Sequence, residues 1–359
     1  MPSALPVRGD ACYSYVMLTF ASDAHRQHHP RQPFHDRDGL TVPPEVPERA
    51  ERIRAAIEAA GFAVETPTAH GLDPVLRVHT RAYLDFLEHA HSRWREMMDA
   101  PADGEAVPYA RAIRGQPLRE TQSVIADLGW YSHDNDAILA GTWPAAVGAV
   151  DVTLSAWEAV AGGRVSAAYA LARPPGHHAA ADSYAGYCFL NNAAIAAQAW
   201  TERGARVAIL DVDYHHGNGT QQIFYNRSDV LFVSLHADPI DEYPFFLGHV
   251  AEGGAGAGEG FTRNFPLPLG TTWAAYGPAL ETAAYTIGNF GADALVVSLG
   301  VDTAAEDADR FELVADDFTR IGGAIGSLRL PTLLVQEGGY ELSVIGRNVV
   351  NVLRGFADA

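Results

Sequence analysis

Two aspartates and a histidine alternate along one short stretch of the sequence, at Asp211, Asp213 and His215. If residues 206–213 are extended, a period of two places these side chains on the same side. An apolar run leads directly into the charges, and buried carboxylates require a counter-charge. With Asp302, which follows another apolar run, Asp213 and His215 predict a two-carboxylate, one-imidazole site for a divalent metal, Zn²⁺ first, with an open position for water. The alternative is a solvated strand end.

Two adjacent histidines and one tyrosine could act beside that metal. His177 and His178 follow an Arg-Pro-Pro-Gly turn, and adjacent imidazoles can do acid–base work, each tuned by the partner of its other nitrogen. Asp211 and Asn218 are partners of different charge, so the two rings are expected to titrate differently. Tyr340 follows two glycines, and its phenol is expected to donate a hydrogen bond to a developing oxyanion. Taken alone, the histidine pair could equally be two polar loop residues.

The elements that must position these groups are five short apolar runs that end at the polar clusters. The predicted strands are 166–172, 206–210, 230–235, 293–299 and 332–336. From about residue 163 such runs alternate with longer helical patterns, which predicts a parallel sheet with crossover helices. Ligands bind outside the carboxyl ends of the strands in open α/β sheets, so the clusters predict one shared site.

The first half of the chain is less regular. Residues 13–20 are predicted as a strand, and 47–60 and 81–98 as helices. Segments 21–44 and 99–116, the first rich in His, Pro and Arg and the second in Pro, Gly and Asp, are predicted as long loops. No composition break or fixed-period repeat divides the sequence, so residues 1–359 are predicted to form one domain.

Composition excludes several classes of protein. With 48% hydrophobic and 19% charged residues, the chain can bury a large core, which excludes a disordered or fibrous protein. A net charge of −19 opposes binding to nucleic acid. Cys12 and Cys188 lack metal-like spacing and do not form a disulfide framework, which fits a reducing cytoplasm. The sequence shows no signal-peptide pattern and no apolar run of membrane-spanning length, so neither export nor membrane insertion is expected.

Five motifs occur in a recognisable order. They are Arg-Pro-Pro-Gly-His-His at 173–178, Gly-Tyr-Cys-Phe-Leu-Asn-Asn at 186–192, Asp-Val-Asp-Tyr-His-His-Gly-Asn-Gly-Thr at 211–220, Leu-Gly-Val-Asp-Thr at 299–303 and Glu-Gly-Gly-Tyr at 337–340. The sequence resembles the zinc-dependent histone deacetylase family of the arginase/deacetylase fold, and within it the bacterial acetylpolyamine amidohydrolases. The resemblance covers nearly the whole chain. It implies a single-domain, three-layer α/β fold with a central, mainly parallel sheet flanked by helices.

The activity that this resemblance implies is zinc-dependent removal of acetyl groups from N-acetylated polyamines or small acetylated amines. Zinc would be held by the three residues proposed above, and His178 would be the general base and acid, assisted by His177. Asp211 would orient His177, whereas Asn218 stands where some relatives carry an aspartate, so His178 should be held less strongly in its charged form. Tyr340 would polarise the acetyl carbonyl.

The resemblance also implies a channel, two further ions and a partner subunit. Gly186 would offer its backbone carbonyl to the substrate amide, while Tyr187 and Tyr243 would wall a narrow channel. One structural potassium ion would be held, largely through backbone carbonyls, by Asp211, Asp213, His215, Ser234 and Leu235. A second would lie near carbonyls of Phe224, Arg227 and Val230. The loops 21–44 and 99–116 would shape the channel mouth and pair subunits into a homodimer.

The identity of the amine is the least defined part of this prediction. Glu105 and Asp309, the latter seven residues after Asp302, are the acidic candidates for binding a small cationic N-acetylated amine, although each could be a solvated surface charge. The first loop carries His25, His28, His29, Arg26 and Arg31, which a cation-selective mouth would not favour. An uncharged or acidic small amide therefore stays open as a substrate.

Three other functions make different demands on the sequence. A histone-like deacetylase of acetyl-lysine proteins or peptides would need an open channel mouth, and it is the main alternative. A binuclear manganese site would need a further aspartate two residues after Asp302, where this chain has Ala304. A non-catalytic acetyl-group binder would have lost a metal ligand, a histidine of the pair or the tyrosine, and the sequence keeps them all.

Overall fold

Eight parallel strands form the sheet that carries the polar clusters. The computed structural model describes residues 17–36, 39–111 and 121–359. Its strands are β1 (Met17–Phe20), β2 (Phe34–Asp36), β3 (Gly39–Thr41), β4 (Ala63–Glu65), β5 (Ala167–Ala170), β6 (Val207–Asp211), β7 (Val230–Ala237), β8 (Thr262–Leu267), β9 (Ala294–Leu299) and β10 (Thr332–Gln336). The main sheet has the order β4-β1-β5-β10-β9-β6-β7-β8, and each neighbouring pair is parallel. β2 and β3 form a separate antiparallel hairpin.

Helices cover both faces of this sheet. They are α1 (Glu48–Ala59), α2 (Arg81–Met98), α3 (Val124–Trp130), α4 (Thr142–Ala161), α5 (Asn192–Thr201), α6 (Asn218–Phe224), α7 (Trp273–Phe290), α8 (Ala315–Gly326) and α9 (Ile345–Ala357). Consecutive residues of β10 point to opposite faces of the sheet and join different hydrophobic cores. Leu333 lies in the core that includes α2, α4 and α5. Leu334 lies in the core that includes α1, α7, α8 and α9. Strands buried on both faces explain the continuous apolar runs in the sequence. The predicted three-layer α/β fold with a central parallel sheet is confirmed.

Most element predictions agree with the structure, and one does not. The predicted bounds coincide with those of α2 and β10, and the other predicted strands and helix agree with the observed ones within a few residues. The predicted loop 21–44 instead contains a 3-10 helix, Asp23–Gln27, and the hairpin of β2 and β3. Ser22 caps that helix, since its hydroxyl accepts a hydrogen bond from the backbone N–H of Ala24 at 3.2 Å. Residues 13–16, 37–38 and 112–116 of the predicted segments lie outside the described residues.

The polar clusters lie at one edge of the main sheet. The clusters follow five strands that are neighbours in the main sheet, in the order β5-β10-β9-β6-β7. Because these strands are parallel, their carboxyl ends meet at the same edge. The strands therefore position one shared site. Among the described helices, none combines the length and apolar character needed to span a bilayer.

The strands of this sheet come from both halves of the chain, from β1 to β10. That arrangement supports the assignment of residues 1–359 to one domain. The assignment itself stays a prediction, because it includes residues 1–16, 37–38 and 112–120, which lie outside the described residues.

Candidate metal centre and active site

Asp213, His215 and Asp302 converge where β6 and β9 end. Nδ1 of His215 lies 3.6 Å from Oδ1 of Asp213 and 3.6 Å from Oδ2 of Asp302. Ligand atoms about 3.3 Å apart are expected around a tetrahedral ion with bonds of about 2.0 Å. Both carboxylates are buried, and within the described residues Oδ2 of Asp302 has no hydrogen-bond partner. An unpaired buried carboxylate oxygen beside an imidazole fits a metal ligand.

Backbone amides hold the two carboxylates in this orientation. Oδ1 of Asp302 accepts a hydrogen bond from the N–H of Tyr214 at 3.0 Å. Asp213 accepts one from its neighbour His215 at 2.9 Å and one from Gly338 at 2.7 Å. A Cβ at Gly338 would lie 2.2 Å from Oδ2 of Asp302, so this position requires glycine. The metal-site carboxylates are thus fixed by the chain segment that leads to Tyr340.

The pKa values of the two aspartates shift in opposite directions. Burial and the charge of Asp213 raise the pKa of Asp302 to about 7. Burial opposes ionisation of Asp213 as well, but the charges of His177 and His215, together with hydrogen bonds from His215, hold its pKa below its usual range. The negative charge of Asp302 is therefore not fully offset by the nearby histidines, and a divalent cation would offset it.

His177 and His178 face partners of different charge. Nδ1 of His177 donates to Oδ2 of Asp211 at 3.0 Å, and Nδ1 of His178 lies 2.7 Å from Oδ1 of Asn218. Burial alone would lower the pKa of His177, but the charges of Asp213 and Asp211 outweigh it and raise the pKa to about 10. Burial and the charge of His177 hold the pKa of His178 well below its usual value. At neutral pH the pair therefore consists of a charged ring and a neutral ring.

Tyr340 is held beside this site as a neutral phenol. Burial raises its pKa well above the usual value, Arg49 opposes the change, and the charges of Asp213 and Asp302 add to it. The guanidinium of Arg49 lies 4.6 Å from the centre of the Tyr340 ring. Its ring also meets that of Tyr187 edge to face, with centroids 5.8 Å apart. A protonated phenol can donate a hydrogen bond to an oxygen that gains negative charge.

Gly186 and Tyr243 pack against His178, and Tyr187, which follows Gly186, packs against Tyr340. The Tyr243 ring packs edge to face on His178, with centroids 5.0 Å apart, and on His215 at 6.0 Å. Gly186 has a φ of +55° and lies so close to His178 that a Cβ would come 2.2 Å from the ring carbon Cδ2. Tyr187 also has a positive φ, 65°. The three residues that the resemblance implies for the channel therefore lie near His178 and Tyr340, and their role in a channel stays a prediction.

Comparison with known proteins agrees with this arrangement. Residues 43–356 match the histone deacetylase domain. The chain belongs to the histone deacetylase family. Acetylpolyamine amidohydrolase 2 of Pseudomonas aeruginosa is 49% identical over 95% of this chain and 98% of its own length, and acetylpolyamine amidohydrolase of Mycoplana ramosa is 47% identical over 89% and 94%. A crystal structure of acetylpolyamine aminohydrolase from Burkholderia pseudomallei has a TM-score of 0.88 at 43% identity and covers 95% of this chain and 98% of that one.

These findings confirm the family resemblance and the prediction of an enzyme, a hydrolase of the deacetylase type. The family and the Asp213, His215 and Asp302 cluster together support a metal-dependent enzyme. The identity of the ion and the roles of single residues stay predictions.

The two acidic residues predicted to bind substrate lie in different places. Oδ1 of Asp309 is 3.7 Å from Nε2 of His215, on the side of the ring opposite the carboxylates. Carboxylates in that position commonly orient metal-binding histidines. Glu105 instead joins the two long loops, since its carboxylate accepts hydrogen bonds from the backbone N–H groups of Arg31 and Gln32 at 2.8 and 3.1 Å.

Sequence reasoning missed an acidic pair behind the channel wall. One oxygen of Asp134 accepts hydrogen bonds from the N–H of Gly186 at 2.7 Å and from the Tyr243 hydroxyl at 3.0 Å. Asp136 accepts one from the N–H of Tyr187 at 2.7 Å. These bonds fix two consecutive residues with positive φ. The Asp-x-Asp spacing at 134–136 was the available signal, but it lies in an irregular segment with no predicted strand.

It also missed a buried ion cluster beneath Tyr340. Glu45 binds Arg49 at 2.8 Å and Arg173 at 2.7 Å, and all three side chains are buried. Arg49 further donates to the carbonyls of Gly339 at 2.5 Å and Glu337 at 2.7 Å. Glu45 and Arg49 are four residues apart, which in a sequence resembles an ordinary exposed ion pair at a helix start.

The residues expected to hold potassium lie on neighbouring elements. Asp211 of β6 is paired in register with Ser234 of β7, and Leu235 follows it. Phe224 ends α6, and Arg227 and Val230 lie on the way into β7. Both groups thus border the β6–β7 pair, and a potassium ion at either stays a prediction.

Proposed function

We propose that this protein is a zinc-dependent amidohydrolase that removes acetyl groups from N-acetylated polyamines or small acetylated amines. The observation that carries the proposal is the convergence of Asp213, His215 and Asp302 beside two histidines, one bound to a carboxylate and the other to an amide. A mixed carboxylate and imidazole set with three protein ligands is typical of a catalytic zinc site. When bound, the metal polarises the substrate carbonyl and makes a water molecule more acidic.

His178 is the residue that moves protons. Because its Nδ1 faces the Asn218 amide oxygen, Nδ1 carries the hydrogen and Nε2 is free to accept a proton from the attacking water. The low pKa of His178 keeps it neutral and ready for that step. Protonated His178 can then give the proton to the leaving amine.

His177 and Tyr340 stabilise the charge that develops. His177 stays protonated through Asp211 and places a fixed positive charge beside the reaction. Tyr340 keeps its phenolic proton and donates it in a hydrogen bond to the acetyl oxygen as that oxygen becomes negative. Gly186 would offer its carbonyl to the substrate amide N–H, while Tyr187 and Tyr243 enclose the aliphatic chain.

A cationic amine as substrate is supported by the charges around the site. The relatives reported above carry acetylpolyamine names. Burial and the charges of Asp302 and Asp307 raise the pKa of Asp309 although His215 opposes the change, and Oδ2 of Asp309 has no hydrogen-bond partner in the described residues. A substrate ammonium beside it would favour the ionised carboxylate, which supports Asp309 as a group for binding the amine. Burial lowers the pKa of His25 to about 4 and of His28 to about 3. These two first-loop residues therefore add no positive charge at neutral pH.

Further parts of the proposal follow from the resemblance. They are potassium ions at the two groups named above, a homodimer formed through the long loops, a role for Glu105 in substrate binding, and a cytoplasmic location. The bonds of Glu105 to the first loop favour a role in shaping the mouth of the channel.

The free thiol Cys188 is buried. Cys12 lies outside the described residues.

A turnover assay tests the proposal directly. The metal-loaded enzyme is compared on acetylputrescine, acetylcadaverine, acetylspermidine and an acetyl-lysine peptide. Higher kcat/KM on at least one acetylated polyamine than on the peptide is expected. Equal or faster cleavage of the peptide would favour the histone-like alternative, and no cleavage of any of the four would contradict a deacetylase.

A further inference from the structure

Asp307 binds the backbone of Tyr340. Its Oδ2 atom accepts hydrogen bonds from the N–H of Tyr340 at 2.7 Å and from that of Glu341 at 3.1 Å. Its other oxygen accepts one from the N–H of Ala308 at 2.9 Å, so the carboxylate is itself held in place. Neither the sequence motifs nor the proposed mechanism gives this residue a role.

The chain before Tyr340 cannot fix the tyrosine by itself. Gly338 and Gly339 precede it, and Gly339 has a φ of +119°, a conformation that side-chain-bearing residues rarely adopt. A pair of glycines allows many directions for the residue that follows. The position of the phenol must therefore come from bonds to the rest of the protein.

Those bonds come from charged groups on different sides of the segment. Asp213, a proposed metal ligand, accepts from Gly338, and Arg49 donates to the carbonyl of Gly339. These two hydrogen bonds hold the residues before the tyrosine, and Arg49 also lies against the Tyr340 ring. Asp307 acts on the N–H of Tyr340 itself, and so fixes the peptide group from which the side chain departs.

Asp307 also belongs to the turn that carries a proposed metal ligand. Asp302 begins this turn, and the N–H of Asp307 bonds to the carbonyl of Ala304 at 3.0 Å. Leu313 closes the turn, since its N–H bonds to Thr303 at 3.2 Å and its carbonyl accepts from the N–H of Ala305 at 2.9 Å. The same turn therefore carries the proposed metal ligand Asp302 and the residue that binds the backbone of Tyr340.

We propose that Asp307 is a positioning residue that sets the place of the Tyr340 phenol relative to the metal site. The inference rests on the proposed function, in which Tyr340 donates a hydrogen bond to the acetyl oxygen. Displacing a reacting group by about 1 Å can cost about 100-fold in rate. Loss of Asp307 should therefore lower kcat through Tyr340, with little effect on substrate or metal binding.

A double-mutant cycle tests this. Asp307→Ala, Asp307→Asn, Tyr340→Phe and the double variant Asp307→Ala/Tyr340→Phe are assayed for kcat and KM on acetylputrescine and for bound metal. We expect Asp307→Ala to lower kcat by about 10- to 100-fold with KM and metal content changed by less than about two-fold. Asp307→Asn keeps an acceptor oxygen and should recover part of the rate. With Phe at 340, loss of Asp307 should change kcat by less than about two-fold, because the group it positions is gone.

The neighbouring Glu306→Ala is the matched control. Glu306 lies in the same turn, but its carboxylate is 44% exposed and binds Arg347 at 2.9 Å. The Glu306→Ala variant should retain the full kcat of the unsubstituted enzyme. The inference would be overturned if Asp307→Ala lowered kcat by the same factor in the Tyr340→Phe background as in the unsubstituted enzyme. Loss of bound metal in Asp307→Asn would also overturn it. If Tyr340→Phe alone leaves kcat unchanged, the proposed role of Tyr340 is wrong whatever Asp307 does. Failure of the proposed function can thus be distinguished from failure of the inference about Asp307.

Discussion

The rings of His177 and His178 lie with their centroids 4.0 Å apart, yet a carboxylate holds one and a neutral amide holds the other. Two imidazoles this close cannot both carry a proton without strong repulsion. Asp211 therefore assigns the charge to His177. The amide of Asn218 leaves His178 as the neutral base.

Replacing Asn218 with aspartate should move the pH dependence of the reaction. A carboxylate at Nδ1 favours the protonated form of His178 and so raises its pKa. The reaction needs the neutral form, so the acid limb of the kcat/KM profile should shift upward by about 1 to 3 pH units. The measurement is kcat/KM against pH on acetylputrescine.

The control for that experiment is Asn218→Ala, which removes the partner of Nδ1 without adding charge. Its rate should fall without an upward shift of the acid limb. A profile for Asn218→Asp that coincides with that of the unsubstituted enzyme would argue against His178 as the base.

Tyr340→Phe removes one hydroxyl and keeps the ring between Arg49 and Tyr187. Removing one donor to a developing oxyanion costs about 100- to 1,000-fold in kcat. We expect a loss of that size while the bound metal, measured by elemental analysis, stays unchanged. Near-normal turnover would exclude the proposed role of the phenol.

Gly186→Ala tests how tightly the channel wall packs on the base. The added Cβ would come 2.2 Å from a carbon of the His178 ring, so the ring must move, and kcat should fall steeply. Gly163→Ala is the matched control, because Gly163 also has a positive φ, 71°, but faces open space. The control should lose about 1–2 kcal/mol of stability. If both variants have the same activity, the wall does not constrain His178.

Glu45→Ala tests the buried ion cluster. Burial opposes ionisation of Glu45, but the charges of Arg173 and Arg49 outweigh it and lower its pKa. Removing it leaves two buried cations unpaired, which should cost about 3–5 kcal/mol in the free energy of unfolding, measured with denaturant. Glu48→Ala breaks an exposed pair with Arg52 and should cost less than about 1 kcal/mol. Equal costs for the two variants would show that the cluster is not stabilising.

The parallel sheet and the position of the candidate site could both be predicted from the sequence, and for the same reason. Five apolar runs of strand length end in polar clusters, and parallel strands bring such ends to one edge, so the meeting of Asp213, His215 and Asp302 followed from topology. The different partners of the two histidines followed from the chemistry of Asp211 and Asn218.

Contacts between irregular segments could not be found in that way. Asp134 reaches Gly186 across 52 residues, and neither lies in a strand whose register predicts the meeting. Asp309 has an acidic side chain at a suggestive spacing, but only the coordinates show that it faces Nε2 of His215. Arg49 lies on a helix of polar appearance and is buried because the start of α1 packs against the Tyr340 segment.

In the proposed enzyme, Asp213, His215 and Asp302 hold one catalytic metal ion. The most direct test removes metal with a chelator and titrates Zn²⁺ back while turnover of acetylputrescine and bound zinc are followed together. Activity should reach its maximum at one equivalent of zinc per chain, and Asp302→Ala should neither bind that equivalent nor recover. Full turnover in the metal-free enzyme, or an activity that requires two equivalents, would contradict the account.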